Sequence, residues 1–369
     1  AGLGFYTYTA FRFMPFVFVI PLLFYLFSRR RKRGSAPEKK SLTRLCTPCA
    51  VTLFLFITFV TALPIGLYFV KHPEQFAGRS PADNAITVWS AESPLYEFGK
   101  ANLQTVGMFF VKGDCNWRHN YMCKPELYWP VALFFALGLG IVLARIIRKR
   151  ASLVEPLLVG WCVFMLLPAT LTREGLPHAL RTIGAIPPVM ILAGFGAWRF
   201  LDGVILRFEK WRMYLPHESI RLRRIEKEIA FLFVLALLCI PIHTYRTYFL
   251  KWAQHKATYD AFATDYLHMG QYLRGLPPTV EKYVIVNVSG VDVRGISSSA
   301  QTVIYITDTF TEEERRKKRV IYLLPAEARI ISLPADKRIA IAFLNGFDHE
   351  LMNTLKQTHP ELKSKAPLD

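Results

Sequence analysis

Acidic residues are scarce in this chain: 28 Asp and Glu stand against 46 Lys and Arg, a formal net charge of +18 over 369 residues. Such an excess raises the question of nucleic acid. The positive charge, however, sits in short runs beside apolar stretches, the pattern of loops facing anionic lipid headgroups, so no nucleic-acid partner is expected. Also missing are a Walker loop, a GxGxxG ahead of a helix and a GxSxG. Their absence removes the sequence basis for ATP hydrolysis, dinucleotide use and a hydrolase nucleophile elbow. No HExxH, paired CxxC or DxDxDG spacing occurs either, so neither a metal nor another cofactor is expected, with a divalent cation as the less favoured alternative. The opening GLGFYTYTAFR has no charged n-region and no cleavage pattern. It is not a signal peptide, and the chain is expected to continue upstream with further spans.

What the chain does contain is apolar and segmented: 52% of residues are hydrophobic, and the mean hydropathy is +0.24. A bilayer-crossing helix needs about 20 mostly apolar residues. Pro48 to Val70 meets this without a charge, and Leu127 to Ala144 nearly does. Phe13 to Phe27, Leu157 to Leu171, Ile183 to Ala197 and Ile229 to Ile242 are shorter, and join them through the charge pattern between them. The connections 28–47, 145–152 and 199–228 are basic, which marks them as cytoplasmic, whereas 71–126 and 172–182 are nearly balanced. The expected fold is therefore a mainly α-helical, multi-pass protein of the cell membrane with six spans in 1–250. A small extracytoplasmic α/β domain follows in 251–369. Within 199–228, aromatic and basic residues alternate as in a helix lying on the inner leaflet. In the tail, YVIVNVS, TVIYIT, VIYLLP and IAIAFL read as strands, and TEEERRKK and HELMNTLKQ as helices.

The polar and aromatic residues gather in the balanced connections, all on the side opposite the basic runs. HPEQFAGRS supplies His72 and Arg79, as a phosphate contact or as a helix cap with interfacial anchoring. GDCNWRHN places Asp114, Trp117, Arg118, His119 and Asn120 within seven positions. A carboxylate, an imidazole, a guanidinium and an amide so close together can relay protons, clamp phosphate and bind hydroxyls, and Trp117 can stack on a sugar. The competing interpretation is a closed loop in which Asp114 pairs with Arg118. Cys115 and Cys123 bracket this cluster on the oxidising side and are expected to form a disulfide. CTPC, at Cys46 and Cys49, is expected to hold reduced thiols, and Cys162 and Cys239 to be buried. PHALRTIGA brings His178 and Arg181, with Arg181 either on an anion or paired to Glu174. Tyr8 and Arg12 lie on the same side at the N-terminus. Arg12, Arg79, Arg118 and Arg181 thus come from four segments and can meet at one phosphate.

Taken in order, GLGFYTYTAFR, HPEQFAGRS, GDCNWRHN and PHALRTIGAIPP resemble the later half of bacterial membrane glycosyltransferases of the protein mannosyltransferase-like, GT-C, polyprenyl-phosphate-sugar-dependent type. The resemblance implies an enzyme that moves a sugar from a polyprenyl-phosphate carrier to an acceptor at the extracytoplasmic face. It also implies roles for Arg12, His72, Arg79, Arg118, His119, His178 and Arg181 around carrier phosphate and sugar, and Tyr8, Trp117 and Asn120 join them as candidate substrate contacts from their own chemistry. Asp114 and His119 would be supporting groups, since the family's catalytic acid has no counterpart here. Partners would be the lipid-linked sugar, membrane lipids and an unspecified acceptor. The alternative from another class is a non-enzymatic lipid-linked-glycan transporter, or a scaffold whose tail domain binds a partner.

Overall fold

Long apolar runs must satisfy their own backbone groups, and the α-helix is the form that does so within one segment. The structure, a computed structural model, describes residues 2–20, 23, 47–73, 91–172, 175–214, 219–290, 292–293, 295–334, 337–360 and 362–363. Its first compact unit, Ala1–Leu250, is helical; its second, Lys251–Asp369, mixes helices with parallel strands.

In the first unit, two 3₁₀ turns, Gly2–Tyr6 and Thr9–Phe13, precede α1 (Thr47–Lys71), α2 (Pro94–Gly107), α3 (Trp129–Ile147) and α4 (Val154–Thr170). A further 3₁₀ turn, Leu180–Ala185, leads into α5 (Ile186–Tyr214), and α6 is Ser219–Tyr245. Among the described residues three helices are long and apolar enough to cross a membrane: Cys49–Lys71, Trp129–Ile147 and Leu180–Tyr214. Val154–Thr170 is apolar but has 17 residues, about 25 Å of rise against a hydrocarbon core of about 30 Å. The stretch Ile229 to Ile242 lies inside α6, which begins with a charged turn.

The expected surface helix within 199–228 is not a separate element. α5 runs unbroken through Tyr214, and α6 begins at Ser219. Local ion pairs three positions apart favour that continuation, Arg199 with Asp202 at 2.8 Å and Arg212 with Glu209 at 3.8 Å, and Arg212 also reaches Glu226 of α6 at 3.2 Å. Two cysteine expectations also change. Cys49 is disulfide-bonded rather than reduced, and Cys239 is exposed on α6 while Cys162 is buried in the core.

One core cluster joins α3, α4 and α5 through Phe135, Val142, Leu158, Met165, Val189 and Leu192. The approach of α3 to α5 is set by two glycines. A Cβ on Gly138 would stand 2.0 Å from the Leu192 carbonyl oxygen, and one on Gly196 would stand 1.9 Å from that of Phe134. Only hydrogen fits at either point, so the backbones meet directly, as small residues permit in apolar surroundings.

The second unit centres on a three-stranded parallel sheet of order β4-β1-β5: β1 (Glu281–Ile285), β4 (Val320–Leu323) and β5 (Ile339–Phe343). A separate hairpin pairs β2 (Asp292–Val293) with β3 (Ile296–Ser297). TVIYIT is a helix, Gln301–Thr307, not a strand. Its buried residues Val303, Ile304 and Thr307 follow helical spacing, so packing against Leu273 and Val284 outweighs the β-branched composition. TEEERRKK and HELMNTLKQ are helical, Glu312–Lys318 and His349–Thr358.

The glycine crossing gives a direct test. Gly138→Leu should lower the thermal midpoint of the detergent-purified protein, consistent with an overpacking cost of about 1–3 kcal/mol. Gly140→Ala, where an added Cβ meets nothing within 4 Å, should leave the midpoint nearly unchanged. Equal effects of the two would contradict the packing described.

Candidate functional site

The loop after α2 is folded by its own polar atoms. Glu126 N–H donates to the Met108 carbonyl at 2.8 Å, and Gly113 N–H donates to Cys123 O at 3.1 Å. Gly113 is required there, because a Cβ would stand 2.1 Å from the Lys124 carbonyl oxygen. A disulfide joins Cys115 to Cys123 across the loop. The Asn120 amide donates to Asp114 O at 3.1 Å and to Lys124 O at 2.6 Å. Asn120 thus frames the loop from inside.

Asp114, only 3% exposed, sits at the centre. Its Oδ1 accepts the Asn116 N–H at 2.7 Å. Its Oδ2 lies 2.8 Å from His119 Nδ1 and accepts the Ala179 N–H at 2.9 Å. His178 Nδ1 is 3.8 Å from the same oxygen. A buried carboxylate is stable only when hydrogen-bonded, and each bond to a charged group contributes roughly 1.5–3 kcal/mol. Asp114 therefore pairs with His119, and its bond to Ala179 fastens the loop to a segment 65 positions away.

That second segment is itself held against α4. Trp161 Nε1 donates to Gly184 O at 3.0 Å, and a Cβ on Gly184 would stand 2.5 Å from Met165 Sδ. Arg181 donates to Thr172 Oγ1 at 2.7 Å, and the Thr172 hydroxyl lies 2.9 Å from the Ala169 carbonyl at the end of α4. The Arg181 N–H is 3.4 Å from His178 Nδ1. The rings of His119 and His178 lie 4.8 Å apart, centroid to centroid.

Electrostatics follow from this burial. His178 is pulled down to about 4, chiefly by desolvation and then by the Arg181 charge, with Asp114 opposing, so its imidazole is neutral at physiological pH. Glu126 accepts the Asp114 N–H at 3.0 Å. Its carboxyl is pushed up to about 7, first by burial and further by the Asp114 charge, against the lowering effect of that bond. Tyr8 is raised by burial, with Arg181 pulling the other way, which puts the N-terminal turn within electrostatic reach of Arg181.

Of the residues expected from sequence, the structure groups Asp114, His119, His178 and Arg181, with Tyr8 beside them. Trp117 packs edge-on against Tyr121, at 5.7 Å between ring centroids, and Arg118 is exposed on the same loop. Arg12 lies over the Phe69 ring at 5.5 Å, and His72 lies against Tyr68 at 4.6 Å, both at the end of α1. Arg79, Arg173 and Glu174 lie outside the described residues, so the expected meeting of four arginines and the Arg181–Glu174 pair fall there too.

Sequence reasoning missed Glu126, counted only as a balancing charge, and Thr172. It also missed the Ala179 amide, which has no side-chain signature. In the second unit a cleft of about 640 Å³ is lined by Glu281, Glu312, Arg315, Arg319, Tyr322 and Lys337. Much of its charge is internally paired, Lys337 with Glu281 at 2.7 Å and Arg316 with Glu312. Asp292 closes the β2–β3 turn by accepting the Gly295 N–H at 3.1 Å.

No protein-family model, curated protein or solved structure matches the chain.

Because Glu126 binds its proton more tightly folded than unfolded, the stability it contributes is present below about pH 4.5 and lost as pH rises to about 7. Glu126→Gln keeps an acceptor oxygen and removes the titration. The variant should be more stable than the parent at pH 8 by about 1–2 kcal/mol, and its thermal midpoint should vary less between pH 4.5 and 7. A midpoint at pH 8 equal to or below that of the parent would contradict this account of Glu126.

Proposed function

We propose that this protein is a membrane glycosyltransferase, transferring a sugar from a polyprenyl-phosphate carrier to an acceptor at the extracytoplasmic face. In this reading six spans hold the first unit in the bilayer, and the Lys251–Asp369 unit lies outside. The observation that carries the proposal is the Asp114 carboxylate joining the GDCNWRHN loop to PHALRTIGA, with Arg181 acting electrostatically on both His178 and Tyr8. A cation, two imidazoles and a phenol grouped beside long apolar helices suit a phosphate whose lipid tail remains in the bilayer.

Sugar transfer from such a carrier is displacement at the anomeric carbon, with the carrier phosphate leaving. Charge grows on the phosphate oxygen as the bond breaks, so fixed cations there act on the transition state more than on the ground state. Arg181, fixed through Thr172 to the end of α4, is assigned that role, together with Arg118 on the neighbouring loop. Asp114 is a positioning residue, because its two oxygens are occupied by Asn116, Ala179 and His119. With Nδ1 donating to Asp114, His119 keeps Nε2 as an acceptor for a proton of the acceptor hydroxyl, directly or through water. Trp117 supplies a flat apolar face for the sugar.

The test is sugar transfer from a polyprenyl-phosphate donor by the purified full chain and by its Arg118→Ala/Arg181→Ala variant. Two charged hydrogen bonds of ~1.5 kcal/mol or more each correspond to a loss on the order of 100-fold. A loss below about threefold would remove the phosphate-clamp assignment. Movement of a lipid-linked glycan across vesicles without a covalent product would replace the enzyme by a transporter.

A further inference from the structure

We propose that Asp114, His119 and His178 form a three-ligand site for a divalent transition metal of the zinc class. Their donor atoms, one from each residue, all lie within 4.8 Å of one another. Asp114 Oδ2 is 2.8 Å from His119 Nδ1 and 3.8 Å from His178 Nδ1. Zinc bonds to nitrogen and carboxylate oxygen are about 2.0–2.2 Å, which places ligand atoms roughly 3–4.4 Å apart. The grouping therefore closes on an ion through small adjustments of the side chains. A neutral His119 ligates through Nδ1 once its ring proton sits on Nε2.

The surroundings are those of a supported site. The carboxylate is oriented by two backbone donors, Asn116 N–H and Ala179 N–H, the outer hydrogen bonding that fixes metal ligands. The loop bearing Asp114 and His119 is closed by a disulfide, and the His178 segment is held by Trp161 and Thr172. Both imidazoles are partly buried, with 14% and 17% of their side chains exposed. Two imidazoles and one carboxylate suit zinc better than calcium or magnesium, which take mainly oxygen ligands. Three protein ligands leave a coordination position for water or an anionic oxygen. His119 and His178 lie 5 and 64 positions beyond Asp114, which is why no short spacing motif reveals them. The proposal rests on this grouping and not on sugar transfer; with the ion bound, His119 Nδ1 and Asp114 Oδ2 are ligands and the His119 ring proton sits on Nε2, so the proton-acceptor role of Nε2 belongs to the metal-free protein only.

The experiment uses the full chain, purified in detergent, stripped with chelator and titrated with Co²⁺ under visible absorption, then with Zn²⁺ in competition. The expected result is one equivalent of Co²⁺ with ligand-field bands that Zn²⁺ displaces. His119→Ala and His178→Ala should each weaken binding 100-fold or more. His243→Ala, whose ring stacks on Tyr128 at 4.0 Å and which is not one of the three grouped residues, should bind as the parent does. His178→Gln, checked for its Cys115–Cys123 disulfide and a single elution peak, serves if the alanine variants misfold and should show the same loss. Absence of the bands in the parent protein would overturn the site, as would undiminished binding by the folded His178→Gln variant.

Discussion

A carboxylate removed from water is unstable by several kcal/mol unless donors replace its hydration. Asp114 meets that requirement with donors from two distant segments: Asn116 and His119 within its own loop, and the Ala179 amide beyond α4. Satisfying one buried charge thus determines which pieces of chain stand together. His119 and His178 face each other because both surround the same oxygen, and Arg181 is held nearby because it follows His178 in the same turn.

The helices make this meeting possible. Trp161 and Met165 of α4 receive the Leu180–Ala185 turn, and the loop returns to the end of α2 through the Met108 carbonyl. α3 and α5 meet at Gly138 and Gly196 so closely that any side chain would part them. The apolar helices supply a frame, and the polar loops at their ends supply the chemistry. The assignment of that chemistry to a phosphate carrier rests on the same division.

Much of the frame was legible in the sequence because charge-free runs permit little besides helix. Pro48 to Val70 lies within α1, and Leu127 to Ala144 coincides with α3 from Trp129 onward; both helices are long enough to cross a membrane. GDCNWRHN and PHALRTIGA stood out by polar density, and their join at Asp114 was invisible because one partner is a backbone amide. The competing interpretation, Asp114 paired with Arg118, follows from charge alone. The loop instead directs His119 and two amides to the carboxylate. TVIYIT misled because β-branched residues suggest a strand, whereas its buried face has helical spacing. Glu126 enters the sequence reading only as a balancing charge, because charge balance carries no information on burial.

The central claim, that Asp114 fastens two segments into one site, is tested most directly by amide hydrogen exchange on Asp114→Ala and the parent. Loss of a charge-assisted bond worth ~1.5 kcal/mol corresponds to exchange faster by on the order of tenfold. The account predicts that the Ala179 amide and the amides of the Gly113 to Glu126 loop lose protection together. Faster exchange confined to the loop, with Ala179 as protected as in the parent, would contradict it.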